Sequence, residues 1–422
     1  MSVASSAPTA RTRWAVVLTV LLGGMIAALH AGKVPPALPL IRVDLGLGMV
    51  DAGFVVSTFN VLGMSLGLLT GVVADHMGRR RLVLLGLLSL TGGGVLGAAG
   101  GGFAVLLVSR VLEGLGFMAV SVASPPLVLA AAAHDDRARA LALWSMFMPA
   151  GMALAMMSAP FALAFLGWRG LWLAIAVLAL LGAMAVGYAT RDLHTAHGPP
   201  AGSRWRVLGE TLGRRKLLLL GVVFGGYAFQ WIAVMVWLPS FLPAAMGVSA
   251  TTAALLTALV VAANVPGNYL GGHMLHRGWT IAGIGPLVAA IMALCAVGLF
   301  TDVLPDVVRF ALVLVFSLAG GTIPAALFAT APTLAASPGH MAASNGMLMQ
   351  GSNLGQFMGP PLVAAAVTAA SGAWSGALVP VLGAAGVTAL AAALVGVRPA
   401  ERASAVAEGA PAQRGSGSGS NG

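Results

Sequence analysis

Charge is what this chain of 422 residues has least of: Asp, Glu, Lys and Arg make up only 8% of it, where a soluble domain carries about 25%. With 59% hydrophobic residues and a mean hydropathy of +0.94, it is built for lipid. The apolar runs do not alternate with polar residues, which excludes a β-barrel. The one cysteine, Cys295, lies in an apolar run, so it forms no intramolecular disulfide and serves packing. No G-x-x-x-x-G-K-[ST] loop occurs, leaving ATP-driven transport unsupported. His30 is the single deep histidine and Glu113 the single deep acid, with no second metal ligand near His30. A membrane-embedded enzyme needs a nucleophile–base pair or a metal-ligand set at depth, so no catalysis, cofactor or metal is expected. No sizeable soluble segment offers a signalling output.

Apolar runs of roughly 20 residues cross a bilayer as helix. Twelve are read, approximately 14–40, 49–74, 82–102, 103–131, 141–166, 170–190, 217–241, 249–272, 279–300, 307–331, 342–370 and 373–396. The expected fold is an all-α membrane protein of twelve transmembrane helices in two pseudo-symmetric six-helix bundles. Residues 1–13 form a cytoplasmic tail, 14–190 the first bundle, 191–216 a polar linker, 217–397 the second bundle, and 398–422 a disordered Ala/Gly/Ser-rich tail. The first run outlasts a signal peptide and is read as an uncleaved helix.

Of the 22 lysines and arginines, only Arg42, Arg169 and Arg309 fall on the outer side and only Lys33 and Arg110 within spans. The rest sit on the side of both termini, which the positive-inside rule makes cytoplasmic. The net charge of +10 thus faces anionic lipid of the inner membrane and not nucleic acid.

An internal repeat accompanies this topology. Gly67, Gly71 and Gly78 return as Gly267, Gly271 and Gly278, while Asp75 becomes Leu275. Met148, Met157 and Pro160 in span 5 are echoed by Met349, Met358 and Pro361 in span 11. A duplicated unit that keeps its charges in one copy and loses them in the other is the mark of a two-halved transporter.

Polar groups at membrane depth are costly, so their placement is informative. Asn60 lies in span 2, Gln230 in span 7, Asn264 and Asn268 in span 8, and Asn345, Gln350, Asn353 and Gln356 in span 11. Spans 1 and 4 carry His30, Lys33, Arg110 and Glu113. Spans 3, 6, 9 and 12 carry none of these, which makes them the spans that tolerate full exposure to lipid.

The chain resembles the major facilitator superfamily. Gly71, Asp75, Gly78, Arg79 and Arg80 match that family's loop signature after the second helix. Arg110, Gly114 and Gly116 match its fourth-helix signature, with Glu113 where many members have glutamine. The resemblance implies that spans 1, 4, 7 and 10 line a central cavity and that every third span is peripheral. Within the family, Gly32-Lys33-Val34-Pro35-Pro36, Glu113-Gly114-Leu115-Gly116-Phe117 and Met148-Pro149 are similar to the cyanate/nitroimidazole branch, implying small polar or anionic solutes. Met148-Pro149-Ala150-Gly151 lacks the glycine spacing of proton-driven drug exporters, the rival reading.

Each singled-out residue has a functional and a plainer reading. Gly71, Asp75, Gly78, Arg79 and Arg80 form a cytoplasmic gate, or only fix topology. His30 and Lys33, at i and i+3, share a helix face; Lys33 lines the cavity or snorkels to the outer interface, with the helix breaking at Pro35 and Pro36. His30 is a proton-sensitive group or a neutral, satisfied one. Arg110 and Glu113 pair into a unit without net charge, or Glu113 takes up a proton and frees Arg110. Two deep cations against one deep carboxylate leave an excess positive charge that an anion would complete. The expected substrate is therefore a small organic anion held by Lys33 and Arg110, with Glu113 or His30 carrying a co-transported proton. Gln230, Trp231, Asn264, Asn268, Asn353 and Gln356 supply neutral contacts to the solute or glue between helices. Lipid, the solute and protons are the expected partners of a monomer.

Overall fold

The computed structural model describes residues 11–66, 77–193, 202–335 and 340–396. Residues 1–10 and 397–422, with Gly67, Gly71 and Asp75, lie outside the described residues. Among the described residues no strand occurs, and nine helical stretches are long and apolar enough to cross a membrane. One of them, His134–Ala189, holds two spans. With Met49–Ser65, which meets the edge of the described residues, and Met341–Ala369, they make up the twelve.

Span 1 comprises helices Trp14–Gly32 and Val34–Leu45, joined through Lys33 in right-handed helical geometry (φ −69°, ψ −26°). The break that the sequence placed at Pro35 and Pro36 thus falls just ahead of them, at Lys33. These prolines occupy the first turn of the second helix, where a missing N–H costs nothing. Span 2 changes gait midway, from Met49–Ser57 through a 3₁₀ turn at Thr58–Asn60 to Val61–Leu66. Spans 3 and 4 are Arg79–Ala99 and Phe103–Ala131.

Spans 5 and 6 share one helical record, Phe147–Ala189. Straight, its 43 residues would measure about 64 Å, twice the hydrocarbon thickness. At Gly167 the backbone takes φ +66°, ψ 179°, open to glycine and strained for other residues. The chain there folds back. A Cβ on Gly24 would stand 3.2 Å from Phe147 Cβ, and one on Gly23 3.1 Å from Val186 Cγ2, so both ends reach the same level of span 1.

The second half follows as Arg215–Met246, Ala250–His276, Ile281–Phe300, Asp306–Leu334, Met341–Ala369 and Leu378–Val395 for spans 7 to 12. Between the halves, Gly202–Leu212 is helical and touches the second half, with His340 Nε2 2.7 Å from Glu210 Oε2. The halves repeat their packing. A Cβ on Gly114 would collide with the Phe59 carbonyl oxygen of span 2, and one on Gly267 with the Leu318 carbonyl oxygen of span 10. Spans 2 and 4, and again spans 8 and 10, thus cross backbone to backbone where a small residue permits it.

The face carrying Trp14, Arg79 and the linker helix is called here the linker face, and the opposite one the far face. Near the far face, Val34, Leu38, Ile41, Val55 and Trp172 join the apolar core of the second half in one cluster. Toward the linker face, Val16, Val20, Leu87, Val120 and Val186 form a separate core belonging to the first half alone. Across the join, Phe54 and Phe357 stand 6.4 Å apart, and a Cβ on Gly53 would lie 2.8 Å from Pro361 Cα.

Candidate solute and proton site

His30 falls in the last turn of the first helix of span 1, Lys33 at its junction, and Arg110 and Glu113 one turn apart on span 4. All four are buried, with exposures between 0% and 1%. They meet around a single carboxylate. Lys33 Nζ lies 2.6 Å from Glu113 Oε1 and His30 Nδ1 2.9 Å from the same oxygen, while Arg110 Nη1 donates to Oε2. Lys33 Nζ also stands 3.2 Å from His30 Nδ1.

Arg110 has further partners. Its Nε donates to the Val55 carbonyl at 3.1 Å and its Nη1 to the His30 carbonyl at 3.0 Å. Those carbonyls flank the 3₁₀ turn of span 2 and the Lys33 junction of span 1, where regular helix bonding is interrupted. Two aromatic faces complete the shell: Lys33 Nζ is 4.2 Å from the Trp172 ring centroid, and Arg110 Cζ 4.6 Å from that of Phe59. Cations over aromatic faces in a dry site gain on the order of 2 kcal/mol.

This arrangement corrects several expectations. Lys33 does not snorkel; its ammonium is wholly buried, since Glu113 and Trp172 hold it better than a stretch to the interface would. Arg110 and Glu113 do pair, but within a group of four whose formal charge is +1 with a neutral imidazole. Spans 3 and 6 are not free of polar duty. A Cβ on Gly93 would sit 2.8 Å from Glu113 Cγ and one on Gly94 3.4 Å from His30 Cε1, while Trp172 of span 6 lies under Lys33. Their lack of ionisable residues left smooth walls for their neighbours' charges.

The second half holds a neutral network. Asn264 Nδ2 donates to Tyr227 OH at 3.2 Å and to the Ser317 carbonyl at 3.0 Å; Asn268 Nδ2 donates to Asn264 Oδ1 at 3.1 Å; Trp231 Nε1 donates to Ser317 Oγ at 3.1 Å. Gln230 is not part of it: buried, it turns to span 12 and donates to Thr388 Oγ1 at 3.3 Å. Asn353 and Gln356 bond within their own helix, to the Met349 carbonyl at 2.7 Å and Ser352 Oγ at 3.1 Å. At the loop signature, Gly78 has φ +81° and starts span 3 with Arg79, while Arg80 donates to the Gly187 carbonyl at 2.8 Å, within its own half.

The sequence reading passed over Trp172, Tyr227, Ser317 and Thr388. Its census of polar groups counted amides and charges and left out indole N–H and hydroxyl groups, which need partners at depth just as amides do.

Known proteins resemble the chain in sequence and in fold. A family model described as Major Facilitator Superfamily matches residues 20–360. A puromycin resistance protein of Streptomyces alboniger is 27% identical over 195 residues, 46% of this chain and 39% of that protein. A probable sulfoacetate transporter of Cupriavidus necator is 25% identical over 284 residues, 63% of this chain and 66% of that one. The chain thus spans from 39% to 66% of the length of these two relatives. Among solved structures, a bacterial homolog of the human lysosomal transporter Spinster superposes with a TM-score of 0.78 at 17% identity, covering 93% of this chain and 97% of that one. A D-xylose–proton symporter does so with 0.68 at 16% identity, covering 91% and 97%. A family match over most of the length, joined to twelve spans in two like halves, makes this chain a multi-pass membrane transporter of the Major Facilitator Superfamily.

Proposed function

We propose that the chain is a secondary transporter that carries a small organic anion across the inner membrane by alternating access, coupled to protons, as a monomer with both termini cytoplasmic. One observation carries this reading: two cations, Lys33 and Arg110, share the single carboxylate of Glu113 in a dry interior. A buried excess of positive charge is costly unless an anion completes it. When Glu113 takes a proton, Lys33 and Arg110 are released together and grip the solute's carboxylate; when the solute leaves, Glu113 recaptures them. His30, in contact with the same oxygen, relays the proton.

One proton per monovalent anion makes the cycle electroneutral. It avoids the cost of about 2.3 kcal/mol per 100 mV that a bare anion meets on entry to a negative interior. Trp231, Asn264, Asn268, Asn353, Gln356 and Gln230 supply neutral contacts from the second half. Gly71, Asp75, Gly78, Arg79 and Arg80 form the cytoplasmic gate. The separate cores near the linker face support that face as the one open to the cytoplasm. The similarity to a probable sulfoacetate transporter, named for an organic anion, supports the substrate class, as does the likeness of Gly32 to Pro36 to the cyanate/nitroimidazole branch.

Uptake of sulfoacetate, acetate and puromycin into proteoliposomes under imposed pH gradients tests the reading. Anion transport that Lys33→Ala and Arg110→Ala abolish is expected. Normal anion transport by both variants would refute it. Puromycin moving in place of the anions would favour the second reading, a proton-coupled exporter of drugs or other organic compounds with Glu113 as its exchange site. That reading draws on relatives named for resistance to puromycin and methylenomycin A.

A further inference from the structure

Span 6 carries two tryptophans one turn apart, Trp168 and Trp172, with ring centroids 5.5 Å apart and planes at 88°. The outer one is satisfied. Its Nε1 donates at 3.1 Å to Asp44 Oδ2, the oxygen that Arg169 Nη1 also contacts, and Arg169 Cζ lies 4.4 Å from the Trp168 ring. There the molecule itself shows how one of its carboxylates is held: an indole N–H and a cation stacked on that indole converge on one oxygen.

The inner tryptophan repeats the donors without the carboxylate. Lys33 Nζ stands over the Trp172 ring, and Trp172 Nε1 is buried without a hydrogen-bond partner. His30 Nε2 is likewise buried and unpartnered, because Glu113 and Lys33 both lie at the other ring nitrogen. Leaving a buried polar group unpaired is costly, and two beside one excess positive charge call for an acceptor. Trp172 Nε1 and the Cε1 edge of the His30 ring pack against span 3 at Gly97 and Gly94. A Cβ on Gly97 would lie 2.9 Å from Trp172 Nε1, and one on Gly94 3.4 Å from His30 Cε1.

The geometry points to a carboxylate subsite here: once Glu113 is protonated and donates to His30 Nδ1, Trp172 Nε1–H and His30 Nε2–H donate to the solute's oxygens and Lys33 supplies the charge. It rests on the proposed transport of an organic anion and adds Trp172 as the residue that selects a carboxylate or an oxyanion of similar size. Halides, which lack two oxygens to span the two donors, are discriminated against.

Binding to the purified full-length chain in detergent separates this subsite from the transport reading, which is judged by flux. Acetate and sulfoacetate should raise the unfolding temperature beyond chloride at equal ionic strength. In Trp172→Phe, which keeps the aromatic face, the half-saturating acetate concentration should rise about tenfold, the equivalent of one indole donor lost to a charged acceptor. Trp168→Phe should leave it unchanged. An acetate midpoint equal in wild type and Trp172→Phe, or no stabilisation of the wild type beyond chloride, would overturn the subsite even if anion flux is found. As a second readout on the wild-type chain, one of the nine indole N–H resonances should shift with acetate at the same midpoint. A spectrum in which none moves would equally overturn it.

Discussion

In the first half, side chains of spans 1 and 4 that lie 83 residues apart bring a histidine and a carboxylate to 2.9 Å, with a lysine and an arginine on the same acid. In the second half, the polar side chains that join spans 7, 8 and 10 among the described residues are amide, hydroxyl and indole groups: Tyr227, Trp231, Asn264, Asn268 and Ser317. The helix crossings beneath are alike, with Gly114 on the Phe59 carbonyl in one half and Gly267 on the Leu318 carbonyl in the other. The two halves thus share a scaffold that backbone contact dictates and differ in the side chains that backbone contact does not constrain. Charge on one side and neutral donors on the other is the division that the proposed proton coupling by the first half draws on.

The sharpest way to break this contrast is to remove the shared carboxylate. Glu113→Ala leaves Lys33 and Arg110 uncompensated and should cost about 3–5 kcal/mol, read by unfolding in detergent; a loss near that of a neutral residue would equate the two halves. Gly114→Ala and Gly267→Ala come next. Each forces two backbones apart and should cost about 1–3 kcal/mol, by similar amounts if the crossings are equivalent. A change tolerated at one and not at the other would show that the scaffold, too, has diverged. Smaller again is Asn264→Ala, for which membrane hydrogen bonds suggest about 0.6–1.7 kcal/mol, measured the same way. Asp44→Asn at the exposed far-face ion pair with Arg169 should leave the unfolding midpoint unmoved, because exposed pairs contribute little.

Much of this was legible beforehand, and the limits have physical causes. Membrane solvation forces long apolar runs, so the spans stood out, and the turn at Gly167 falls between the runs read as 141–166 and 170–190. The four ionisable residues were likewise conspicuous against a chain so poor in charge. Their direction was not, because helix rotation is decided by distant neighbours such as Gly93, Gly94 and Trp172. A residue count therefore marked them as buried polar groups without showing that Gly93, Gly94 and Trp172 of spans 3 and 6 back them. Pro35 and Pro36 marked the break in span 1 but not its exact place, because the pair sits in the first turn of the helix that follows it. Trp172 escaped because its single donor is hidden in an aromatic that composition counts as apolar.

Anion uptake by Glu113→Gln, which keeps the shape of the side chain and removes its charge, tests the central claim most directly. In proteoliposomes, wild-type sulfoacetate or acetate flux should follow an imposed pH gradient. The variant should exchange anion for anion at equal concentrations and ignore the gradient. Flux in Glu113→Gln that still rises with the gradient as in the wild type would contradict the account, because the proton would then be carried elsewhere.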